Sequence, residues 1–275
     1  MKKRYALTLS LLTLPLLGCF EGRQNTEQLC ESNPGLKCER LNMDDGQCRL
    51  PRTDLIWHRF EVLKNPTPVN KIKEYELVAE YKKCLELASQ IQAIDQTELK
   101  QRRFQALVNA GSDLETIADD LSKSSSPDAL YFLWSRIGSD QAKRAFLQLE
   151  GSPQLDTAEM QYALATFYTS RDLFKTRQLL LRALELTNQT NINNEVFKSL
   201  ASITYRMNQR EEAYIWAMVA SDFGVPIATE QELQLLYGFE SGKYKQLEQI
   251  AEQLKESIEQ GTFKKEQVPR FQQDS

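Results

Sequence analysis

The chain has 275 residues, of which 41% are hydrophobic and 26% charged, enough apolar material for one sizeable core or two modest ones. Its 11 glycines stand singly and form no G-x-G, which excludes the phosphate-cradling fingerprints, and its single histidine, His58, excludes H-E-x-x-H zinc sites and any chemistry needing two imidazoles. A net charge of −4 argues against nucleic acid as a partner, because phosphate binding needs a basic face.

At the N-terminus Lys2, Lys3 and Arg4 precede the apolar run YALTLSLLTLPLLG, which is broken by Pro15 and followed by Cys19. A charged start and a short apolar core read as a secretory signal over residues 1–18, and the run is too short for a good membrane-spanning helix. The sequence Leu16-Leu17-Gly18-Cys19 resembles the lipobox of bacterial lipoproteins. That resemblance implies a thioether diacylglycerol on Cys19, cleavage before it, acylation of the new amine, and membrane attachment through this lipid. Phe20 stands where the inner-membrane retention signal of Gram-negative lipoproteins has aspartate, so the resemblance implies the periplasmic face of the outer membrane. Removal of residues 1–18 would leave 257 residues with a net charge of −7, held by acyl chains and not by attraction to anionic headgroups.

Residues 19–68 read as a lipidated, cysteine-rich segment. Beyond Cys19 stand Cys30, Cys38, Cys48 and Cys84, an even number that in an exported chain reads as a disulfide framework. Of the three possible connectivities, Cys30–Cys38 with Cys48–Cys84 is favoured, because Asn33-Pro34-Gly35 is a turn-former between the first two. The second bridge would close a separation of 36 residues, stabilising by roughly 3–4 kcal/mol on the chain-entropy model. The alternative for Cys84 is a buried thiol, since Leu77, Tyr81, Cys84, Ala88 and Ile91 lie on one helical stripe. A four-cysteine zinc site is disfavoured in an oxidising space. Asn42-Met43-Asp44-Asp45-Gly46 reads as a turn, and residues 54–63 read equally as helix or edge strand. The stretch CESNPGLKC…LNMDDGQCRLPRTDLIW, residues 30–57, resembles an uncharacterised family of Gram-negative envelope lipoproteins, which lends no activity.

From residue 69 onward the signals are helical. Asp95-x-x-Glu98, Ser112-x-x-Glu115, Asp156-x-x-Glu159, Asn208-x-x-Glu211 and Thr229-x-x-Glu232 look like capping boxes or close variants. Ser126-Pro127-Asp128 is a further start, and Gly111, Gly138, Gly151, Gly224 and Gly261 read as stops. A helical hairpin region is expected over 69–125, helical repeats over 126–261 and a flexible tail over 262–275.

The repeat is carried by Ala142, Thr176, Ala213 and Leu247, separated by 34, 37 and 34 residues. Phe146, Leu180, Ala217 and Ala251 follow four positions later, and Leu149, Ala183, Ala220 and Leu254 seven positions later. Helix pairs at this period fit a stack in which each unit buries its face on the next. Residues 163–186 resemble a tetratricopeptide repeat through Ala163, Phe167, Leu180 and Ala183, departing from it at Arg171 and Thr176. Residues 211–228 resemble the related Sel-one type through Ala213, Trp216, Ala220 and Gly224. The expected fold is therefore all-α: helix-turn-helix repeats behind a small disulfide-stapled N-terminal segment.

No catalytic, metal-binding or cofactor set is assigned, and an enzyme is not expected. His58 lies among aromatics in LIWHRF and reads as structural; Asp44-Asp45 and Asp119-Asp120 are adjacent and do not face one another, and a calcium loop fails at Met43 and Leu41. The expected role is a protein–protein scaffold or accessory factor in envelope assembly, with an unidentified envelope protein as partner. Its alternatives are a cell-wall hydrolase using a carboxylate pair, and a passive structural lipoprotein. The tetratricopeptide resemblance points the binding face at Gln161, Ala165, Tyr168, Lys198, Ser202, Tyr205 and Arg206.

Overall fold

The computed structural model describes residues 25–91, 97–188 and 192–271. The expected signal over residues 1–18, Cys19, Phe20 and the expected Asp95 capping position lie outside them. All regular structure among the described residues is helical. The chain forms α1 (Thr26–Ser32), α2 (Arg49–Lys64), α3 (Pro68–Ser89), α4 (Thr97–Leu121), α5 (Pro127–Phe132), α6 (Asp140–Gln148), α7 (Ala158–Tyr168), α8 (Leu173–Leu186), α9 (Glu195–Arg206), α10 (Arg210–Asp222), α11 (Glu230–Tyr237) and α12 (Ser241–Glu259).

Two compact units are present. The first takes the described residues of Met1–Pro66 and Glu76–Asp113, the second those of Thr67–Tyr75 and Leu114–Ser275. The expected hairpin region over 69–125 is thus divided between them. The reason lies in α3, whose later turns carry Tyr81, Cys84 and Leu85 toward the N-terminal segment, while Tyr75 packs edge-on to Phe132 at 4.9 Å.

In the first unit Leu29, Leu36, Leu55, Ile56, Val78, Tyr81 and Leu85 are buried together with Cys38 and Cys48. The disulfides are Cys30–Cys38 and Cys48–Cys84, so Cys84 is not a free thiol. Asn33-Pro34-Gly35 leads into a tight 3-10 turn, Pro34–Leu36, between the first pair. Residues 54–63 fall within α2, where Leu55 and Ile56 face inward and settle the choice for helix. The stripe on α3 holds through Ala88 and ends there, because the helix stops at Ser89 and Ile91 is exposed.

Capping explains most boundaries of the second unit. Ser126 accepts from Ala129 N, and Thr229 with Glu232 forms a full capping box. At α7 the cap is Thr157, one residue after the expected Asp156, and its hydroxyl accepts from Met160 N. At α10 no side chain caps: Asn208 takes a left-handed φ of 58° and serves the preceding turn. Gly138 and Gly224 stop helices at positive φ, where a Cβ would be strained. Gly111 does not; α4 runs straight through it and through Ser112, because Ala106, Ala110 and Ile117 keep the apolar period on both sides.

The periodic positions fall on α6, α8, α10 and α12. Ala142, Phe146, Thr176, Leu180, Ala183, Ala213, Ala217, Ala220, Leu247, Ala251 and Leu254 are all buried, and Leu149 is half-buried just past the end of α6. Helix α7 packs on α8, α8 on α9, α9 on α10, and α10 on α12. Within the first pair Arg182 near the end of α8 bonds Asp156 before α7, while Lys175 near the start of α8 sits over Tyr168 at the end of α7. In the second pair Asn194 before α9 donates to Phe223 O after α10. Both pairs are therefore antiparallel hairpins. Trp216 is fully buried at the centre, its ring beside Phe197 and Phe263 and its N–H on Glu212.

The segment expected to be a flexible tail packs back as far as Phe271. Phe263 and Val268 are buried in the same core as Trp216, and the Lys265 N–H donates to Glu185. Its apolar residues find a hydrophobic surface that only the assembled helices provide.

Candidate interaction surface

The second unit presents two adjoining features. One is the row of turns that join the helix pairs: Thr169–Asp172 after α7, Met207–Gln209 after α9, and Gly238–Glu240 after α11. They are linked side by side. The Arg206 guanidinium donates to Thr169 O at 2.9 Å, and Tyr205 meets Tyr237 edge-on at 5.9 Å. Arg171 lies over the Phe167 ring and donates to Phe167 O at 2.6 Å. Arginine at these positions serves helix C-termini, whose last carbonyls lack intrahelical donors.

The other feature is a groove of about 1740 Å³ walled by α8, the start of α10, the α11–α12 turn and the C-terminal segment around Lys265 and Phe271. That volume exceeds the usual few hundred to about 1,000 Å³ of a small-molecule pocket. Phe174 is 60% exposed on its rim. Most of its charges are paired. Arg177 grips Glu212 through two hydrogen bonds of 2.8 and 3.0 Å, and Lys243 pairs with Glu211 at 3.5 Å. Lys175 pairs with Glu150, whose burial opposes ionisation but is outweighed by Lys175 and the Tyr168 hydroxyl, so its carboxyl stays below the usual range. Burial pushes the Tyr237 phenol up to about 12, so it is a neutral donor at any physiological pH.

The residues singled out from the sequence are brought together in part. On α9 Lys198, Ser202, Tyr205 and Arg206 are all exposed, and the opposite residues Val196, Leu200 and Ile203 are buried, as the periodicity requires. Lys198 pairs with Glu195 at 2.9 Å. On α7 the expectation is corrected: Ala165 is buried in the core, because the α7 surface it occupies is covered by neighbouring helices. Tyr168 is half-buried, its hydroxyl donating to Glu150 at 2.6 Å and its face covered by Lys175, so it ties neighbouring turns together. Gln161 donates to Leu155 O at 2.8 Å and reaches the groove wall. His58 is half-buried on α2. Asp119 and Asp120 diverge, Asp120 engaging Lys71 and Lys123.

Sequence reasoning missed Arg171 and Arg210 as surface elements, and the C-terminal wall of the groove. The recurrence of arginine at or just after the end of successive first helices was the available signal for the former; Phe263, Val268 and Phe271 were the signal for the latter. It also missed a polar interior in the first unit. There the buried Asp45 accepts from Arg103, Asn42 and Gln47, and Arg103 holds its carboxyl below the usual range.

Taken together, the fold and this surface define an all-helical chain of antiparallel helix hairpins with a disulfide-bonded N-terminal unit. The chain belongs to the family described as "Protein of unknown function (DUF2989)", whose model matches residues 16–218. No curated protein and no solved structure is significantly similar to it.

Proposed function

We propose that the protein is an envelope lipoprotein, anchored through acyl chains on Cys19 at the periplasmic face of the outer membrane, and that its helical body is a scaffold or accessory factor for another envelope protein. We read the hairpins as relatives of tetratricopeptide and Sel-one repeats, on the strength of Ala163, Leu180, Ala183, Ala213, Trp216 and Ala220, all of which are buried. The anchor rests on the sequence from Lys2 to Cys19, and the oxidising compartment is supported by the pairing of Cys30 with Cys38 and Cys48 with Cys84. The observation that carries the scaffold reading is the row of linked turns beside an open groove of about 1740 Å³. Repeat proteins of this construction bind extended partners along one face.

The test is crosslinking and affinity capture of the lipidated protein from envelopes. One recurring protein partner is expected. Capture of none at any crosslinker length would refute the scaffold reading, and membrane retention of a mature chain starting at Glu21 would refute the anchor.

A further inference from the structure

The structure assigns a chemistry to the partner: we infer that the row of turns takes an acidic, partly apolar segment of a protein chain. This rests on the scaffold reading above and narrows it to one edge of the second unit. Arg171, Arg206 and Arg210 lie along that edge, and among the described residues no carboxylate is within ion-pair distance of any of them. Arg171 commits one N–H to the α7 carbonyl of Phe167 and Arg206 one to the turn carbonyl of Thr169, which fixes each guanidinium without neutralising it. Of the carboxylates nearby, Glu211 is paired with Lys243 and Glu212 with Arg177, while Asp172 caps α8 through Lys175 N and keeps its charge. Glu240 makes no side-chain capping bond and, among the described residues, no ion pair. Arg171, Arg206 and Arg210 thus outnumber Asp172 and Glu240, a local excess of positive charge on a chain whose net charge is −4, and it favours an anionic partner.

Exposed apolar groups stand on the helices that lead into and out of these turns. Tyr205 is 38% exposed, Phe174 60%, Leu236 42% and Leu235 88%. Tyr205 is seated against Tyr237, and Phe174 stands on the groove rim beyond the first turn. Guanidinium groups beside exposed apolar side chains suit a segment that alternates carboxylates with leucine or aromatic side chains: the charges set orientation and the apolar groups supply buried area. Guanidinium forks pair with carboxylates in two parallel hydrogen bonds, which a lysine edge would not do.

The test uses the full lipidated chain in neutral detergent and a fluorescein-labelled peptide alternating aspartate with leucine and phenylalanine. The control replaces every aspartate with lysine. The aspartate peptide should bind, its affinity falling several-fold between about 50 and about 500 mM salt, while the lysine peptide should not bind. Arg206→Glu with Arg210→Glu should weaken binding at least about tenfold. Arg210→Glu alone should weaken it several-fold; that guanidinium makes no bond among the described residues, so this variant tests charge without disturbing the fold. Equal binding of both peptides, binding of neither, or affinity unchanged by Arg210→Glu would overturn the inference. The two readings fail separately. An envelope partner whose capture survives both charge reversals would leave the scaffold standing and sink the acidic-segment assignment. Charge-dependent peptide binding with no envelope partner would do the reverse.

Discussion

Replacing Asp45 with asparagine should unfold the first unit far more easily than its size as a change suggests. The Asp45 and Arg103 side chains are each only 6% exposed. Asp45 accepts from Arg103 twice, from Asn42 Nδ2 at 2.9 Å and from Gln47 N at 3.0 Å, while Arg103 also donates to Ala88 O at 3.0 Å. Arg52 stitches the same loop by donating to Asn42 O and Asp45 O, and the Tyr81 hydroxyl accepts from Asn42 N at 3.0 Å. Asparagine keeps the shape but leaves the Arg103 charge buried and unpaired, a defect that costs about 3–5 kcal/mol. That is a large part of the roughly 5–15 kcal/mol that stabilises a typical domain. Urea titration followed by circular dichroism, with hydrogen exchange to locate the loss in α2 and α4, would measure it. Removing both charges, with Asp45→Asn and Arg103→Met together, should cost clearly less than the two single changes added, because no orphan charge remains. The pH dependence has a definite sign. Arg103 lowers the folded pKa of Asp45 below its unfolded value near 3.9, so the stabilisation is full above that value and is lost as the pH falls through the folded pKa. The penalty of Asp45→Asn should therefore shrink below about pH 4. A loss under about 1 kcal/mol at pH 7, or additive single changes, would refute the assignment of this network as a principal support of the unit.

Three further outcomes follow from other parts of the fold. Gly111→Ala should raise stability by about 0.5–1 kcal/mol, because the residue lies inside α4 and an added Cβ meets nothing within 4 Å; a lower thermal midpoint would count against a continuous α4. Phe263→Ala should destabilise the second unit by about 3–5 kcal/mol in chemical denaturation, since the ring is buried against Trp216; a change under about 1 kcal/mol would mean the C-terminal segment is not part of that core. Replacing Cys48 and Cys84 by alanine should cost about 1 kcal/mol more than replacing Cys30 and Cys38, from sequence separations of 36 and 8, and non-reducing peptide maps should show these two pairs and no others.

Helix, cap and repeat were legible because they depend on neighbours close in sequence. Thr229 with Glu232, Ser126 before Pro127, and the buried set from Ala142 to Leu254 follow from spacing alone, since a helix's faces are fixed by its period. The Cys30–Cys38 pair was legible through its turn-former, whereas Cys48–Cys84, 36 positions apart, followed only from the even count, and the structure settled it against a free Cys84 thiol. Gly111 shows the limit: a glycine is a stop only if the chain turns there, and α4 continues because its apolar period resumes beyond it. The sequence alone determined an all-helical, cysteine-bonded chain with hairpins repeating at 34 and 37 residues. Only the tertiary structure decided that Ala165 is core, that Phe263 and Val268 fold back onto the helices, and that Arg103 meets Asp45 across 58 positions. Those outcomes depend on which surfaces are left to be covered once the helices have packed, and pairings between residues far apart in the chain carry no periodic signal by which a sequence could announce them.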